Sequence, residues 1–292
     1  MRRRFLVIEN PAAGSGKRAV VAHTLEMLES RGATISRAVT DSTAHTVEVA
    51  REAAKSDTLD ALIVAGGDGT IRDAASGLLG HTLPLGVIPA GTGNVLAAEL
   101  GLPRDPDGLA DYLCRGDSRA ITGGTANGHL FLFMAGVGLD AEIVSRLDSG
   151  LARRIGRAAY VPAILSALAA APRPELTVRH GGAAVTARWV VVAKSSRFGG
   201  SFILTRKAGL LKDGLQLVTM QSKSRLGDTV RLAAVPLGLL HHMPGVRIDA
   251  CAGAVTIKSE RPVPVQIDGD ILGTTPVEVD CAPMPINLIV PV

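Results

Sequence analysis

A buried strand that runs directly into a glycine-rich turn and then a helix is the feature that most limits how this chain folds. It spans residues 62–71, which read Leu-Ile-Val-Ala-Gly-Gly-Asp-Gly-Thr-Ile. Four consecutive apolar residues, two of them β-branched, are typical of a strand buried on both faces of a parallel sheet. The apolar residues after the turn have helical spacing: Ile71, Ala74, Ala75 and Leu78. The order of strand, tight turn and helix therefore predicts an α/β unit.

The turn also has the composition of an anion-binding loop. Glycines allow a ligand to approach the backbone closely, and the N–H groups that open a helix favour a phosphate. Asp68 is the exception, because a carboxylate beside a phosphate is repulsive unless a metal or a transferable proton lies between them. The turn therefore predicts a metal–nucleotide site formed by Gly66, Gly67, Asp68, Gly69 and Thr70.

Two further transitions from strand to loop repeat this arrangement. Residues 5–8 predict a strand followed by a small-residue loop at 10–17, and a strand at 85–88 leads into Pro-Ala-Gly-Thr-Gly-Asn. The first of these loops is not a Walker P-loop, because Pro11 stands where that pattern requires its first glycine. Strands alternating with helices predict a parallel sheet, whose ligands bind at the carboxyl ends of the strands. All three loops fall on that edge.

Composition excludes several classes of protein. The chain has 292 residues, enough for two domains, and its 47% hydrophobic and 20% charged content excludes a disordered protein. A net charge of +4 favours anionic ligands or an anionic membrane surface, and no basic run interleaved with aromatics indicates nucleic acid. Three scattered cysteines form neither a disulfide framework nor a zinc site.

The amino-terminal segment and the apolar runs bear on localisation. The apolar run after Arg2, Arg3 and Arg4 is too short for a signal peptide, and no run approaches the length of a spanning helix. We therefore expect a cytoplasmic protein that contacts the inner face of a membrane peripherally.

From about residue 120 the pattern changes to short strands and hairpin turns, which predicts a β-rich second domain. Asn127-Gly128 is one hairpin signal, and Gly181-Gly182 is expected to join residues 176–180 to residues 187–194. Further short strands are predicted at 246–248, 255–258, 263–267 and 276–279. The apolar segments 158–171 and 226–242 predict helices that either pack on the sheet or face lipid.

Taken together, the motifs resemble the diacylglycerol kinase catalytic-domain family, which includes bacterial lipid kinases and the sphingosine kinases. The resemblance begins with Asn10-Pro11 and Gly14, Gly-Gly-Asp-Gly-Thr at 66–70, and Pro89 with Gly91-Thr92 and Asn94. It continues with Gly-Val-Gly-Leu-Asp-Ala at 136–141, Lys-Asp-Gly-Leu at 212–215 and Gln-Ile-Asp-Gly-Asp at 266–270. It therefore covers nearly the whole chain in order, although the Gly-Gly-Asp-Gly-Thr element is shared with NAD kinases and resembles a phosphofructokinase turn.

The resemblance implies a two-domain kinase that encloses Mg-ATP between its domains. A phosphofructokinase- or NAD kinase-like α/β domain would span residues 1–119, with a strand at about 284–292 returning to it, and an antiparallel, sandwich-like domain would span residues 120–283. Matching motifs imply that ATP is bound by Asn10, Pro11, Ala12, Ala13, Gly14, Thr40, Gly66, Gly67, Asp68, Gly69, Thr70, Ile71, Arg72 and Thr92. Asp213, with the backbone carbonyls of Leu210 and Leu215, would hold Mg²⁺ away from the reaction centre.

In the family the general base is the glutamate of an Asp-Gly-Glu motif, two residues beyond its aspartate. The resemblance places Asp270 at that position here. Residues two apart on a strand point the same way, so Asp268 and Asp270 are both candidates beside Asp68; the alternative is an exposed Asp-Gly-Asp turn. Two features depart from the family. The base is Asp instead of Glu, and Val95 stands where many bacterial members have Asp.

The expected function is therefore an ATP-dependent lipid kinase that transfers the γ-phosphate to a hydroxyl of diacylglycerol or a sphingosine-like alcohol. An NAD kinase-like enzyme is one alternative, and a catalytically weak nucleotide- or lipid-binding protein is another, which the departures at Asp270 and Val95 leave open. Asp140 is either a further acid of the site or a helix cap. No nucleic-acid partner is expected, and the oligomeric state stays open, a homodimer included.

Overall fold

The computed structural model describes residues 1–10, 17–170, 173–200, 202–222 and 224–292. The chain divides into two units. The first comprises Met1–Thr122 and Pro283–Val292, and the second comprises Gly123–Ala282. The predicted fold class is confirmed: an α/β unit with a parallel sheet precedes an antiparallel, β-rich unit.

The first unit is a six-stranded sheet with helices. Its strands are β1 (Arg4–Glu9), β2 (Thr34–Val39), β3 (Ala61–Gly66), β4 (Leu85–Pro89), β5 (Asp117–Ile121) and β20 (Ile286–Val290). Its helices are α1 (Arg18–Ser30), α2 (Thr43–Ala54), α3 (Asp68–Gly77), α4 (Val95–Leu100) and α5 (Pro106–Arg115). The strand order is β2-β1-β3-β4-β20-β5; all neighbours are parallel except β20 and β5.

Local sequence explains these elements. Every residue of β3 is buried, as its continuous apolar run predicts. Helix α1 buries Val21, Leu25 and Leu28 at helical spacing, and Gly32 follows it with a φ of 80°, a left-handed conformation that suits glycine at a helix end. The last strand is tied to α5, since the Tyr112 hydroxyl donates to the carbonyl of Ile289 at 3.0 Å.

The second unit contains two six-stranded sheets, a two-stranded ribbon and four α-helices in its described part. Its strands are β6 (Gly124–Ala126), β7 (His129–Phe131), β8 (Met134–Val137), β9 (Leu176–His180), β10 (Ala183–Ala187), β11 (Trp189–Ala193), β12 (Arg197–Phe198), β13 (Phe202–Ile203), β14 (Gln216–Met220), β15 (Val246–Ala250), β16 (Val255–Ser259), β17 (Pro264–Ile267), β18 (Asp270–Thr274) and β19 (Val277–Cys281). Its α-helices are α6 (Leu139–Ser145), α7 (Ser149–Ile155), α8 (Tyr160–Ala169) and α9 (Arg225–Ala234). The sheets have the orders β10-β9-β16-β19-β6-β7 and β15-β14-β11-β8-β17-β18.

Strand β11 lies at the centre of the second unit because both of its faces are buried. Val190 and Val192 pack in a core cluster with residues of the other sheet, such as Val178. Trp189 and Val191 pack on the opposite face in a second cluster that includes residues of α6 and α8. An antiparallel strand covered on both faces has the same continuous apolar pattern as a parallel one.

Two hairpin predictions have different outcomes. Asn127 and Gly128 have φ values of 46° and 81° and join β6 to β7, which confirms that turn. Gly181-Gly182 joins β9 to β10, so the predicted pairing of residues 176–180 with 187–194 is wrong. The apolar run after this turn contains two strands, and the second, β11, pairs with β8 and β14 in the other sheet.

The two predicted apolar helices are shorter than their segments. In the predicted segment 158–171 the α-helix is α8, and residue 171 lies outside the described residues. In the predicted segment 226–242 the helix α9 ends before Pro236. Helix α8 buries Ala163 and Ala167 but leaves Val161 and Leu165 exposed. No helix in the described part of the chain combines the length and hydropathy that a membrane span requires.

Candidate active site

The turn between β3 and α3 has the geometry that the sequence predicts. Gly67 precedes the helix in an extended conformation, and the first helical hydrogen bond runs from the Ile71 amide to the Gly67 carbonyl at 3.0 Å. The amides of residues 68–70 therefore lie in the first helical turn, where an α-helix supplies no backbone acceptor. Such amides, with the positive end of the helix dipole, favour an anion.

The second glycine loop packs directly on this turn. A Cβ atom on Gly91 would lie 2.5 Å from the Gly67 Cα atom, so the close approach requires glycine. Asn94, with a φ of 49°, closes its own loop, because its side chain accepts from the Gly91 amide at 2.9 Å and donates to the Gly91 carbonyl at 2.8 Å. Thr92 is exposed on this loop. The two loops thus form one continuous edge of the sheet.

Asp68 links the two loops through its carboxylate. Oδ2 accepts from the Val95 amide at 3.1 Å, and Oδ1 accepts from the Leu96 amide at 3.4 Å. Both amides open α4, so the carboxylate lies at the positive end of that helix. A metal is therefore not needed to explain why an acid is present in the turn, and a chemical role for Asp68 stays a prediction.

The segment between β1 and α1 meets the same edge at both ends. The Asn10 side-chain amide donates to the Thr70 hydroxyl at 3.3 Å, and the Lys17 ammonium donates to the Gly91 carbonyl at 3.4 Å. Arg72 forms an ion pair with Asp73 at 3.0 Å. The predicted ligand residues Pro11, Ala12, Ala13 and Gly14 lie outside the described residues.

Two of the predicted nucleotide-contact residues have buried side chains. Thr40 is fully buried, and its hydroxyl accepts from Thr46 at 2.8 Å, so its side chain lies behind the edge instead of on it. The Ile71 side chain is buried in the core and its amide is used by the helix, which gives this residue a packing role. Both positions are adjacent in sequence to the edge but face inward.

A half-open cavity of about 430 Å³ lies in the first unit, at the carboxyl ends of the parallel strands. Val21 and Leu25 of α1 form an apolar wall, and Asn10 and Arg37 contribute polar groups. Parallel sheets bind ligands at this edge, and the combination of apolar walls with a few polar groups is typical of small-molecule sites.

In the second unit, the Asp-Gly-Asp sequence forms a hairpin turn. Asp268 and Gly269 have φ values of 51° and 93° and are the two residues between β17 and β18, where Ile267 pairs with Asp270. The prediction that Asp268 and Asp270 point the same way along one strand is therefore wrong, and the alternative of a turn is confirmed. Asp270 is exposed at the start of β18.

Asp268 anchors this turn. Its carboxylate accepts from three successive backbone amides: Leu132 at 2.7 Å, Phe133 at 2.8 Å and Met134 at 3.0 Å. Hydrogen bonds from amides to a carboxylate are among the stronger ones in proteins. We therefore correct the predicted chemical role of Asp268 to a positioning role, which leaves Asp270 as the acid that the turn presents.

Gln266 holds the turn from the other side. Its Oε1 accepts from the Gly269 amide at 2.8 Å, and its Nε2 donates to Asp140 Oδ2 at 2.9 Å. Gly136 makes room for this pair, because a Cβ atom there would lie 1.6 Å from Asp140 Oδ2. The Gly-Val-Gly-Leu-Asp-Ala motif therefore supports the turn from the interior.

Burial raises the pKa of Asp140 to about 6. The hydrogen bond from Gln266 and the nearby Ala141 amide act in the opposite direction, since both favour the ionised form. The effect of burial on the pKa exceeds that of these hydrogen bonds, because Oδ1 lies in the interior without a hydrogen-bond partner in the described part of the chain. Asp140 is thus an interior acid that acts through Gln266 and not a residue exposed to substrate.

The loop that the resemblance assigns to Mg²⁺ is in contact with the side chain of a buried lysine. The side chains of Leu210 and Leu215 are buried, and Asp213 is exposed beside them on the turn. The buried Lys194 ammonium donates to the carbonyl of Lys212, which lies between the predicted ligands in sequence. Among the described residues no cluster of three or more His, Cys, Asp or Glu side chains is arranged to hold a metal. A divalent cation in this loop would lie beside the buried Lys194 side chain, whose like charge does not fit the predicted site.

Sequence reasoning missed two residues of this arrangement, Gln266 and Lys194. Alternation of Val263, Val265 and Ile267 assigns Gln266 to the opposite face of its strand, so its burial has no signal in the local sequence. Lys194 ends an apolar strand, a position at which a charged residue is more often exposed.

Comparisons with known proteins agree with this arrangement. Residues 4–126 match the family model described as diacylglycerol kinase catalytic domain, and residues 134–290 match the YegS C-terminal NAD kinase beta sandwich-like domain. The chain is 29% identical over 282 residues to a diacylglycerol kinase of Bacillus subtilis, covering 94% of this chain and 92% of that protein. It is 30% identical over 297 residues to one of Mycobacterium tuberculosis, covering 97% and 94%.

Other matches extend the comparison. The chain is 28% identical over 240 residues to an uncharacterized Synechocystis protein and spans about half of it, 55%, with 79% of this chain covered. The crystal structure of a diacylglycerol kinase from Bacillus anthracis superposes with a TM-score of 0.71 at 18% identity, covering 99% of this chain and 97% of that one. A second Bacillus anthracis structure gives a TM-score of 0.81 at 22% identity, covering 99% and 95%.

An α/β unit that matches the diacylglycerol kinase catalytic domain, followed by an antiparallel unit that matches the YegS C-terminal domain, identifies the class of protein as a lipid kinase. The chain belongs to the diacylglycerol kinase family.

Proposed function

We propose that this protein transfers the γ-phosphate of Mg-ATP to the hydroxyl of a membrane lipid, either diacylglycerol or a sphingosine-like alcohol. One observation carries the proposal: the Gly66–Thr70 turn and the Gly91–Asn94 loop pack into one edge beside the cavity of the first unit. Phosphoryl transfer depends mainly on positioning and on charge neutralisation. Backbone amides at this edge supply both, and the metal that accompanies ATP neutralises further phosphate charge.

The nucleotide contacts follow from the groups at that edge. The amides of residues 68–70 suit the phosphates, and the exposed Thr92 hydroxyl offers a further donor. Asn10 and Arg37 line the cavity with the apolar residues of α1, which suits a nucleoside. Lys17 brings a positive charge to the same edge through the Gly91 carbonyl.

Asp270 is the proposed general base, which takes the proton of the lipid hydroxyl. Its exposure distinguishes it from Asp268, whose carboxylate already accepts three amide hydrogen bonds. A positioned base contributes typically about 10²–10⁴-fold to a rate. Aspartate is one methylene shorter than the family's glutamate, but it retains the carboxylate that the step needs.

A lipid acceptor also requires access to a bilayer. We place the protein at the inner membrane face, where ATP is present, with α8 and α9 in peripheral contact. These helices pack on each other and expose apolar side chains at a spacing of four residues, Val161 and Leu165 on α8 and Leu226 and Val230 on α9. Exposed apolar residues on neighbouring helices are typical of interfacial contact.

The experiment that tests the proposal is transfer of label from γ-³²P-ATP to acceptors in mixed micelles. The acceptors are diacylglycerol, monoacylglycerol, sphingosine, ceramide and phosphatidylglycerol, with NAD as a separate arm. Asp270→Asn removes the base, and Asp249→Asn changes an exposed aspartate of β15 as the matched control. We expect label in one lipid, loss of about 10²-fold or more in Asp270→Asn, and unchanged transfer in Asp249→Asn.

Two results would contradict the proposal. Labelled NADP would identify an NAD kinase. Binding of ATP without transfer to any acceptor, in a protein of normal stability, would identify a nucleotide-binding protein that lacks the chemistry.

A further inference from the structure

Lys194 is a charged residue in the interior of the second unit. Only 2% of its surface is exposed, although lysine is almost never fully buried without a partner. Its ammonium donates to the backbone carbonyl of Lys212. Burial lowers the pKa of Lys194, and the nearby Cys281 and Asp213 act in the opposite direction. The ammonium thus has both an acceptor and a negative charge in the loop at residues 209–215.

The backbone holds Lys194 in this position. The amides of Lys194 and Ser195 both donate to the Phe133 carbonyl, at 2.8 and 2.9 Å. The Phe133 amide in turn donates to Asp268 at 2.8 Å. Lys194 is therefore connected through one residue to the turn that presents Asp270, and its side chain extends this support to a further loop.

The loop at residues 209–215 forms a tight turn. The Lys212 amide donates to the Gly209 carbonyl at 3.0 Å, and Gly214 has a φ of 70°, which suits glycine. The buried side chains of Leu210 and Leu215 fix the two ends of the loop. Backbone carbonyls and a carboxylate, which this turn carries, are the oxygen ligands with which proteins hold a cation.

We propose that the Lys194 ammonium is the resident cation of this loop and that the loop takes no divalent metal in this protein. An ammonium supplies positive charge and directed hydrogen bonds to the carbonyl oxygens. A divalent ion beside it would meet a like charge at short range, which is unfavourable even though Lys212 and Asp213 are exposed. The inference concerns this loop alone and not the metal that accompanies ATP.

The test uses the nucleotide-free protein and needs neither ATP nor lipid. Thermal unfolding is followed in EDTA and in millimolar MgCl₂ or CaCl₂, and the purified protein is analysed for bound metal. Lys194→Met removes the ammonium but keeps a long apolar side chain. Lys207→Met is the matched control, because the exposed Lys207 also donates to a carbonyl, that of Ile248 at 3.3 Å.

Wild type is expected to contain no stoichiometric divalent metal and to have the same Tm in EDTA and in Mg²⁺. Lys194→Met is expected to lower the Tm by about 3–10 °C, because the Lys212 carbonyl loses its buried donor. Mg²⁺ or Ca²⁺ should recover at least half of that loss in Lys194→Met, since a cation then enters the vacated position. Lys207→Met should change the Tm by less than about 2 °C in either condition.

Three results would overturn the inference: a stoichiometric metal in wild type, a wild-type Tm that falls in EDTA, or a Lys194→Met variant as stable as Lys207→Met. A loss of stability that neither ion recovers would also contradict it, because a hydrogen bond and not a charge would then have been lost. If Lys194→Met does not fold, the metal content and chelator response of wild type decide the question.

Discussion

Gln266 Nε2 donates to Asp140 Oδ2 at 2.9 Å in the interior of the second unit, although the two residues are 126 positions apart in sequence. The same Gln266 side chain accepts from the Gly269 amide, so one amide group joins α6 to the turn before Asp270. The position of the proposed base therefore depends on an acid that no substrate contacts.

The raised pKa of Asp140 predicts how stability changes with pH. The carboxyl titrates near pH 6 when folded and near 3.8 when unfolded, so its ionised form is disfavoured in the folded state at neutral pH. As pH falls from 7 to 4, the folded protein takes up a proton that the unfolded chain does not yet bind. Wild type should then gain about 2 kcal/mol in unfolding free energy relative to Asp140→Asn.

Urea unfolding at several pH values, followed by fluorescence of the single tryptophan, measures this difference. Trp189 is a suitable probe, because it lies in the core beside α6 and becomes exposed on unfolding. A difference between the two proteins that does not change with pH would show that Asp140 has an ordinary pKa.

Asp268 and Asp270 should have separable effects. Asp268→Ala removes the acceptor of three backbone amides and should cost about 3 kcal/mol or more of unfolding free energy. Asp270→Asn changes an exposed side chain and should alter stability by less than about 0.5 kcal/mol. Chemical denaturation of both variants tests this; equal stability losses would show that Asp268 is not the anchor.

The packing of Gly91 against Gly67 predicts an asymmetric pair of variants. Gly91→Ala places a Cβ atom 2.5 Å from the Gly67 Cα atom, whereas Gly67→Ala places one 3.3 Å from the Gly91 Cα atom. Neither neighbour is a flexible side chain, so the backbone must move. We expect Gly91→Ala to cost about 1–3 kcal/mol and Gly67→Ala clearly less, measured by urea unfolding. The reverse order would contradict the described approach of the two loops.

Arg173 should be the most sensitive charged residue of the second unit. It is buried, pairs with Asp228 at 2.5 Å and Glu142 at 3.0 Å, and donates to the Ala167 carbonyl at 2.8 Å. Arg173→Met leaves the buried Asp228 without its counter-charge and leaves Glu142 with only a partly exposed arginine, so it should cost about 3–5 kcal/mol.

A nearby arginine provides the control for this prediction. Arg146 also pairs with Glu142, at 3.4 Å, but it is 32% exposed, so Arg146→Met should cost less than about 1 kcal/mol. Addition of Asp228→Asn to Arg173→Met should restore part of the stability, because it removes the carboxylate charge that Arg173→Met leaves unpaired. Additive losses in the double variant would argue against a charge network.

Membrane contact through α8 and α9 predicts a loss of vesicle binding when their exposed apolar residues become charged. Leu165→Asp combined with Leu226→Asp should weaken co-sedimentation with phosphatidylglycerol-containing vesicles by at least about tenfold. Val39→Asp, at an exposed apolar residue of the first unit, is the control and should bind as wild type does. Equal binding by all three proteins would place the contact elsewhere.

The features that could be predicted from the sequence are local ones. The run before Gly66 and the turn at Asn127-Gly128 are encoded by neighbouring residues, so their structures follow from pattern and turn chemistry. The pairing after Gly181-Gly182 was predicted wrongly, because one apolar stretch supplies strands to two different sheets.

In the candidate site, too, only the locally encoded features could be predicted from the sequence. The glycine loops stand out by composition, whereas Asp270, Thr40 and Ile71 were carried over from the family's motifs. A motif match does not show which way a side chain faces, and those of Thr40 and Ile71 are buried. The support by Gln266 and the interior charge of Lys194 depend on contacts between distant residues. Such contacts leave little local signal, so an analysis of one sequence does not find them.

The position of β20 has a consequence for synthesis. This strand lies between β4 and β5, yet it follows the whole second unit, about 160 residues, in the chain. At roughly 5–20 residues per second, β5 then waits on the order of 10–30 s for its sheet partner while the chain is made. During that interval β4 and β5 present open strand edges. A nascent chain of this protein should therefore depend on chaperones most while its second unit is being translated.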